Sequence, residues 1–397
     1  MPMWSYLGTL DVEASLRGSA YAATGVAAMI SPFIVGMIAD RFFATQKVFG
    51  VLHILGGVFL YLVGQANDWS EFYPYLLLHL ICYMPTLALS NSLCFQNMED
   101  PQRQFPPIRT LGTIGWIASG ILVGSSFYFE NEFRSVWPAF LGGSVPPVDW
   151  TSISLTSQPF MIGAGVSILL GLYSFSLPNT PPKLKGKKVT PAEVLGLKAL
   201  ALMKDKSFAI FIVCSFLLCI PLSFYFQSAN GFLKEMGVAN SEGVLTLGQV
   251  SEIFFLLLVP WFFRKLGVKK MLLIGMAFWV LRYVFFAQAS SETHLLLYLG
   301  VLFHGICYDF FFVTGQLYVD KAAPEDIRSS AQGFIAFVTL GAGMFVGGIL
   351  NGWWNSKHTI DGNLDWSRVW YFPAALAAIV LIIFFFSFRQ PEEEGLN

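Results

Sequence analysis

Two groups of polar side chains interrupt apolar stretches of this chain, and their spacing places each group on one helix face. Arg109, Thr113 and Trp116 are spaced i, i+4 and i+7, and Gln249 and Glu252 are spaced i and i+3. Residues at these spacings are neighbours on a helix surface. A guanidinium, a hydroxyl and an indole in one row predict the wall of a polar cavity. The alternatives are that Arg109 extends to the membrane surface and that Gln249 and Glu252 form a structural bond between helices.

The strongest single signal is an acid inside an aromatic segment. His304 and Tyr308 are i and i+4, and Asp309 lies at the edge of the same face, directly before three phenylalanines. An acid in these surroundings is strongly desolvated unless it is protonated or paired. A carboxyl that gains and loses a proton is what a proton-coupled carrier requires. We therefore predict that Asp309 exchanges protons.

A third polar row contains amides, and its meaning stays open at the level of sequence. Ser223, Gln227 and Asn230 are spaced i, i+4 and i+7. Amides bind sugar hydroxyls or base edges, and they also join helices to one another. We interpret Arg282, which also lies in an apolar stretch, as structural.

The charged candidates allow a prediction about coupling. If Arg109, Glu252 and Asp309 line one cavity, its fixed charge is -1 with all three ionised and zero with one proton bound. A neutral site is the cheapest to move across a membrane. This charge sum predicts that one proton is transported together with an uncharged substrate, unless Arg282 also reaches the cavity.

The composition shows what surrounds these groups. Of the 397 residues, 55% are hydrophobic and 12% are charged, about half the charged fraction of a soluble domain. This predicts a membrane protein and excludes a soluble enzyme, a disordered chain and, with a net charge of -1, a nucleic-acid binder. The five cysteines fall in apolar stretches and match no zinc pattern, so we expect neither disulfides nor a metal, and no cofactor.

Apolar stretches of about 20 residues, enough to cross a bilayer as a helix, recur along the chain. The predicted spans are 15–38, 47–65, 72–96, 107–127, 157–177, 207–231, 245–263, 269–288, 294–318, 329–350 and 367–388. Residues 1–10 are apolar but too short to cross, and they lack the basic start of a signal peptide. We interpret them as the last half of a first helix whose beginning is absent from this chain.

The basic residues predict the orientation and the division of the chain. Lys and Arg concentrate in one set of loops, above all in residues 178–206, and such loops are cytoplasmic. Similar charged turns follow corresponding spans on both sides of this segment, for example 40–41 and 264–265. We predict an N-terminal bundle over 1–177, a cytoplasmic linker over 178–206 and a C-terminal bundle over 207–397.

Several of these stretches resemble the nucleoside:proton symporter family of the major facilitator superfamily. The matching stretches are 83–89, 105–109, 112–115, 249–252, 309–311 and 327–333. The resemblance implies an all-α membrane protein with twelve helices in two six-helix bundles, both termini cytoplasmic. It also implies a multi-pass protein of a bacterial inner membrane that imports nucleosides by proton symport through alternating access.

The resemblance also implies roles for individual residues. The positions that match the family's nucleoside site are Arg109, Thr113, Gln249, Glu252 and Asp309, with Asp309 and Glu252 as the proton-linked acids. Trp116, His304 and Tyr308 stand where the family places other aromatics, so stacking on a base is retained. Ser223 stands where a glutamine is expected, and Gln227 and Asn230 would supply the missing amides.

Three other functions are consistent with part of the sequence. A facilitator carrier for another neutral solute, such as a sugar, fits the hydrogen-bonding groups but not the aromatic excess. A membrane sensor that binds nucleosides without moving them would need a signalling domain, and the loops are too short for one. An intramembrane enzyme would need a catalytic motif, and no span carries one. We expect nucleoside, protons and lipid as the partners of a monomer that binds no nucleic acid.

Overall fold

The fold is a bundle of long helices. A computed structural model describes residues 2–99, 108, 110–123, 156–182, 197–238, 241–291, 294–324, 327–360 and 363–389. In these ranges the helices are α1 (Pro2–Thr9), α2 (Ala14–Arg41), α3 (Thr45–Gln65), α4 (Trp69–Gln96), α5 (Thr110–Val123), α6 (Gln158–Ser174), α7 (Lys206–Glu235), α8 and α9 (together Ser241–Gln288), α10 (Leu295–Ala322), α11 (Ala331–Lys357) and α12 (Trp366–Ser387).

Each of the eleven predicted spans coincides with one of the helices α2 to α12, and residues 2–9 form the short α1. Seven helical stretches of the described chain are long and apolar enough to cross a membrane. One of them, Ser241–Gln288, has 48 residues, about 72 Å of helix, which is more than twice the thickness of a hydrocarbon core. This stretch is two helices joined at Gly267, α8 over 241–266 and α9 over 268–288.

Asp side chains define where three of the helices begin. The Asp68, Asp205 and Asp365 carboxylates accept hydrogen bonds from backbone N–H groups in the first turns of α4, α7 and α12. An N-cap of this kind satisfies a donor that has no partner within the helix. The Ser70 hydroxyl and the Glu71 amide hold the pKa of the exposed Asp68 below its ordinary value, since both donate to its charged form.

The sharp turn between α8 and α9 depends on a glycine. Gly267 adopts φ 68° and ψ 173°, a backbone region that is essentially restricted to glycine. We expect Gly267→Ala to cost about 1–3 kcal/mol of stability and to lower the apparent Tm of the purified protein in detergent. Gly165→Ala in α6 is the control, because a Cβ there would meet nothing within 4 Å. An equal Tm for the two variants would contradict this account.

The buried apolar side chains form separate clusters on the two sides of the predicted linker. The largest draws its members from residues 199–388, around Trp279, Tyr283 and Trp370. A second joins α1, α2, α3 and α4 around Leu7 and Phe72. Two smaller clusters lie within residues 35–177 and 255–313. No cluster of the described chain therefore mixes residues of the two halves, although the largest also includes Ala199 of the predicted linker.

Glycines permit close contact between α2 and α11. A Cβ at Gly18 would lie 2.6 Å from the Gly348 carbonyl oxygen and 2.6 Å from the Gly352 Cα. A Cβ at Gly25 would lie 2.6 Å from the Gly341 carbonyl oxygen. The two backbones touch, because no side chain separates them. We call this contact the α2–α11 seam.

The described residues of the seam lie away from the end of the bundle where basic residues collect. That end, the basic end, carries Lys47, Arg264, Lys265, Lys270 and Lys321. Gly18 is near the start of α2 and Gly352 near the finish of α11, so both belong to the opposite end. The two halves are thus in contact at the end opposite the basic end.

Some local features were not predicted. Residues Asp309–Val313 in α10 and Phe337–Gly343 in α11 form π-helical turns. A 3-10 helix occupies Leu197–Lys204, and a two-residue hairpin pairs β1 (Thr359–Ile360) with β2 (Asn363–Leu364). A π-turn contains one residue more than an α-turn and often marks a functional site. The hydropathy pattern does not reveal such an insertion.

Candidate functional site

A cavity of about 220 Å³ lies between α5 of the first half and α8 of the second. Its lining residues are Trp116, Ser119, Gly120, Val123, Glu242, Leu245, Thr246 and Gln249. Trp116 is 53% exposed and contributes an aromatic ring to the cavity wall. Gln249 supplies an amide from the facing helix. Two residues that the sequence predicted on different helices therefore line one chamber.

The remaining members of the first predicted row are only partly described. Thr113 lies one turn before Trp116 on α5 and is half-buried. Arg109 lies outside the described residues. Glu242 and Thr246, which the sequence analysis did not single out, also line the cavity. They lie seven and three residues before Gln249, respectively, which places them on its helix face, and this is the signal that could have identified them.

The two predicted acids lie on neighbouring helices of the second half. Glu252 on α8 is 20% exposed, whereas Asp309 on α10 is fully buried. Neither carboxyl oxygen of Asp309 has a hydrogen-bond partner among the described residues. Glu252 is close enough for its charge to act on Asp309. Two like charges near each other in a low dielectric repel strongly, and one proton on the pair removes this repulsion.

His304 connects the acids to an aromatic cluster. Its Nε2 lies 3.7 Å from Glu252 Oε2, and its ring stacks on Tyr225 with a centroid distance of 5.2 Å. Tyr308 follows, with its ring 5.3 Å from that of His304. The residues predicted on one face of α10 are therefore in contact with one another, and Asp309 begins the π-turn that follows them.

Arg282 is part of the same group of residues. It is fully buried, its Nη1 lies 3.0 Å from His304 Nδ1, and its guanidinium carbon lies 3.5 Å from the Tyr225 ring centroid. The charge sum made from the sequence counted Arg109, Glu252 and Asp309 and left Arg282 aside. That sum omits a cation that is separated from Glu252 by one imidazole ring.

The amide row lies deeper in the second half. Gln227 Nε2 donates to Ser223 Oγ at 2.5 Å, and Asn230 Nδ2 donates to Ser241 Oγ at 3.1 Å. Both amide side chains are fully buried. Gln227 Oε1 has no hydrogen-bond partner among the described residues, so this oxygen still has the capacity to accept one. The Asn230 bond joins α7 to α8.

A second, larger cavity of about 640 Å³ opens at the end opposite the basic end. Trp4, Arg17, Glu235 and Trp366 are among its lining residues. Trp366 Nε1 donates to Glu235 Oε2 at 2.6 Å, and Lys234 pairs with Glu242 at 3.0 Å. Because Glu242 also lines the smaller cavity, this ion pair lies between the two.

In the described part of the chain, helices α1 to α12, the cavity between α5 and α8 and the buried charged side chains define a secondary transporter of the major facilitator fold. The fold agrees with a crystal structure of a mutant of the nucleoside transporter NupG, with a TM-score of 0.86 and 28% identity over 98% of this chain and 94% of that one. The chain belongs to the Nucleoside H+ symporter family, which matches residues 1–393.

Relatives from Escherichia coli (strain K12) are similar over nearly the whole chain. The putative nucleoside transporter YegT is 42% identical over 99% of this chain and 90% of its own length. Xanthosine permease is 30% identical over 96% of this chain and 90% of its own length. The predicted family and fold are confirmed, and the chain is a multi-pass inner-membrane transporter rather than an enzyme.

Proposed function

We propose that the chain imports nucleosides together with protons by alternating access, and that the chamber between α5 and α8 is part of the nucleoside path. Family membership supports the proton-coupled import of nucleosides. The observation that carries the assignment of the path is the apposition of Trp116 and Gln249 across one cavity. A planar base stacks on an indole, and an amide both donates to and accepts from its edge.

The nucleoside site in this proposal extends from that cavity toward α10. Trp116, His304 and Tyr308 provide aromatic faces for the base. The amides of Gln227, Asn230 and Gln249 and the Thr113 hydroxyl bind polar atoms of the base and ribose. The cation and acids of the site are Arg109, Glu252 and Asp309. Their mixture of aromatic faces and hydrogen-bonding groups suits an uncharged nucleoside better than a phosphorylated one, which needs several convergent cations.

Proton coupling in this proposal rests on Asp309 and Glu252. Asp309 is fully buried, and its oxygens have no hydrogen-bond partner among the described residues. A buried carboxyl without a partner is stable only when it is neutral. Binding of a proton therefore removes a charge that would oppose movement of the loaded site.

Movement in this proposal is a rocking of two bundles, residues 1–177 and residues 207–397, joined by the linker 178–206. The separate apolar clusters of the two halves support it, because each bundle moves without opening its own core. The α2–α11 seam closes the path at the end opposite the basic end. In this proposal the contact closes the substrate path on that side.

The proposed orientation places the basic end and the C-terminus in the cytoplasm, since loops rich in Lys and Arg stay inside. The closed end then faces outward, and the described state is the one that delivers substrate to the cell. We also propose that a monomer suffices and that nucleic acid is not a partner, because a single chain supplies both walls of the chamber.

Purified protein reconstituted in vesicles tests this function. We expect labelled uridine to accumulate above its external concentration when the exterior is more acidic than the lumen, and a protonophore to abolish the accumulation. Binding of uridine without accumulation would support a sensor instead. Accumulation of a sugar such as xylose in place of uridine would support a carrier for another neutral solute.

A further inference from the structure

Glu252, His304 and Arg282 form a chain of contacts from the chamber into the core of the second half. His304 Nε2 lies 3.7 Å from Glu252 Oε2, and His304 Nδ1 lies 3.0 Å from Arg282 Nη1. Glu252 is the partly exposed member, whereas His304 and Arg282 are buried. Burial of a cation in the apolar core of a membrane protein costs free energy, and a neutral residue would pack as well. The presence of Arg282 at this position therefore calls for an explanation.

The chemistry of the guanidinium determines the state of the imidazole. Arginine has only N–H donors, so Arg282 must donate to His304 Nδ1. A neutral imidazole that accepts at Nδ1 carries its hydrogen on Nε2. That N–H then faces the Glu252 carboxylate. A second proton on His304 would place a hydrogen between Nδ1 and the guanidinium, so Arg282 keeps His304 neutral.

Arg282 has no direct acidic partner in the described chain. Its guanidinium rests on the Tyr225 ring, with its carbon 3.5 Å from the ring centroid, and its Nη1 also lies 3.6 Å from Cys307 Sγ. Nε and Nη2 have no hydrogen-bond acceptor among the described residues. The guanidinium therefore has no carboxylate in direct contact among the described residues, and its contact with His304 leads on to Glu252.

The two acids therefore experience different surroundings. Glu252 faces an N–H donor with a cation behind it, and both favour its carboxylate form. Asp309 has no hydrogen-bond donor among the described residues and is fully buried beside Glu252, which favours its neutral form. The geometry divides the roles of the two acids, which the sequence could not do.

We propose that Arg282 is a positioning residue of the transport cycle, which acts through His304 to keep Glu252 ionised, so that the transported proton is carried by Asp309. This inference rests on the proposed function and refines its mechanism. Glu252 is then a fixed acceptor for N–H or O–H groups of the nucleoside. Asp309 alone changes its charge during the cycle.

Several titratable groups of the described residues act on this set. Those from the packed helices are Tyr225 of α7, Tyr283 of α9, and Cys307 and Asp309 of α10. Tyrosines and a thiol are neutral near pH 7 in their ordinary state. The described residues of α5, 110–123, contain no titratable side chain. Of the groups named here, Arg282 is the one that carries a positive charge.

Uridine uptake by reconstituted vesicles, measured against external pH, tests the proposal. Removal of a unit charge several ångströms from a carboxylate changes its proton binding by about one pH unit or more. We expect Arg282→Met and His304→Phe each to shift the pH midpoint of uptake upward by about one unit, because the pair of acids then binds its first proton at a higher pH. The double variant should shift it no further than either single variant, since both act on the same contact.

Two further variants separate positioning from a general loss of structure. His304→Gln retains an oxygen that accepts from Arg282 and an N–H that faces Glu252, so we expect it to keep the wild-type midpoint, whatever its rate. Arg368→Met removes a cation that is largely exposed at the end opposite the basic end. The pH midpoint of uptake by this variant should also equal that of the wild type. If Arg282→Met fails to yield folded protein, the comparison of His304→Phe with His304→Gln decides the question.

The outcomes are distinct from a failure of the proposed function. If the wild-type chain shows no proton-driven uptake, the proposed function itself is wrong. If the wild type is active, an unchanged midpoint in folded His304→Phe overturns the positioning role. Equal shifts for His304→Phe and His304→Gln, or additive shifts in the double variant, overturn it as well.

Discussion

Asp309→Asn is expected to abolish uphill accumulation of nucleoside while part of the exchange across the membrane remains. The amide is close to the carboxylic acid in size, and it is neutral like the protonated form. The variant therefore resembles a permanently loaded proton site. In vesicles with a pH gradient, uridine accumulation should fall at least about tenfold, to the level seen with a protonophore.

Exchange needs no net proton movement, and it is therefore the appropriate second measurement. Vesicles loaded with unlabelled uridine should still take up labelled uridine through Asp309→Asn, because the neutral site can still reorient. Asp320→Asn is the matched control, since Asp320 is an exposed residue of the same helix, and its accumulation should equal that of the wild type. Undiminished accumulation by Asp309→Asn would remove Asp309 from the coupling mechanism.

The second large effect is expected from Gly18→Val in the α2–α11 seam. A Cβ at Gly18 would already lie 2.6 Å from backbone atoms of α11. A helix backbone cannot relieve such a clash by changing rotamer, as a flexible side chain can. The halves then cannot close at this end. We expect transport to fall more than about tenfold, with nucleoside binding from the outer solution retained, because only closure is blocked.

Gly165→Val controls for the introduction of a branched residue into a helix. A Cβ at Gly165 would meet nothing within 4 Å, so uptake by this variant should stay near the wild-type rate. Titration of uridine against the purified Gly18→Val protein measures the retained binding. Wild-type transport by Gly18→Val would show that the seam does not have to close in every cycle.

The sequence predicted the helices well because hydropathy over a bilayer thickness is a strong signal. Each predicted span coincides with a helix of the described chain, and the family suggested by the motifs is confirmed. The break between α8 and α9 was predicted as the gap between the spans 245–263 and 269–288, but the sharp turn at Gly267 was not. It depends on a single φ angle, which hydropathy does not encode.

The site was predicted less completely, because contacts between helices do not appear in the spacing along one helix. His304 and Tyr308 were grouped from their i and i+4 spacing, and their rings are in contact on α10, where Asp309 follows them. The proximity of Arg282 to His304, on another helix, could not be deduced from spacing. Arg109 lies outside the described residues, and its place in the site stays a prediction.

The separation of the apolar clusters has a consequence for biosynthesis. The first half leaves the ribosome before the second half exists, and its clusters around Leu7, Phe72 and Phe49 use no residue beyond 177. It is therefore able to settle in the bilayer without its partner. The contacts between the halves, including the glycine contacts of the α2–α11 seam, therefore form last. Because neither apolar cluster depends on these contacts, they can also break and re-form in each transport cycle without disturbing either half.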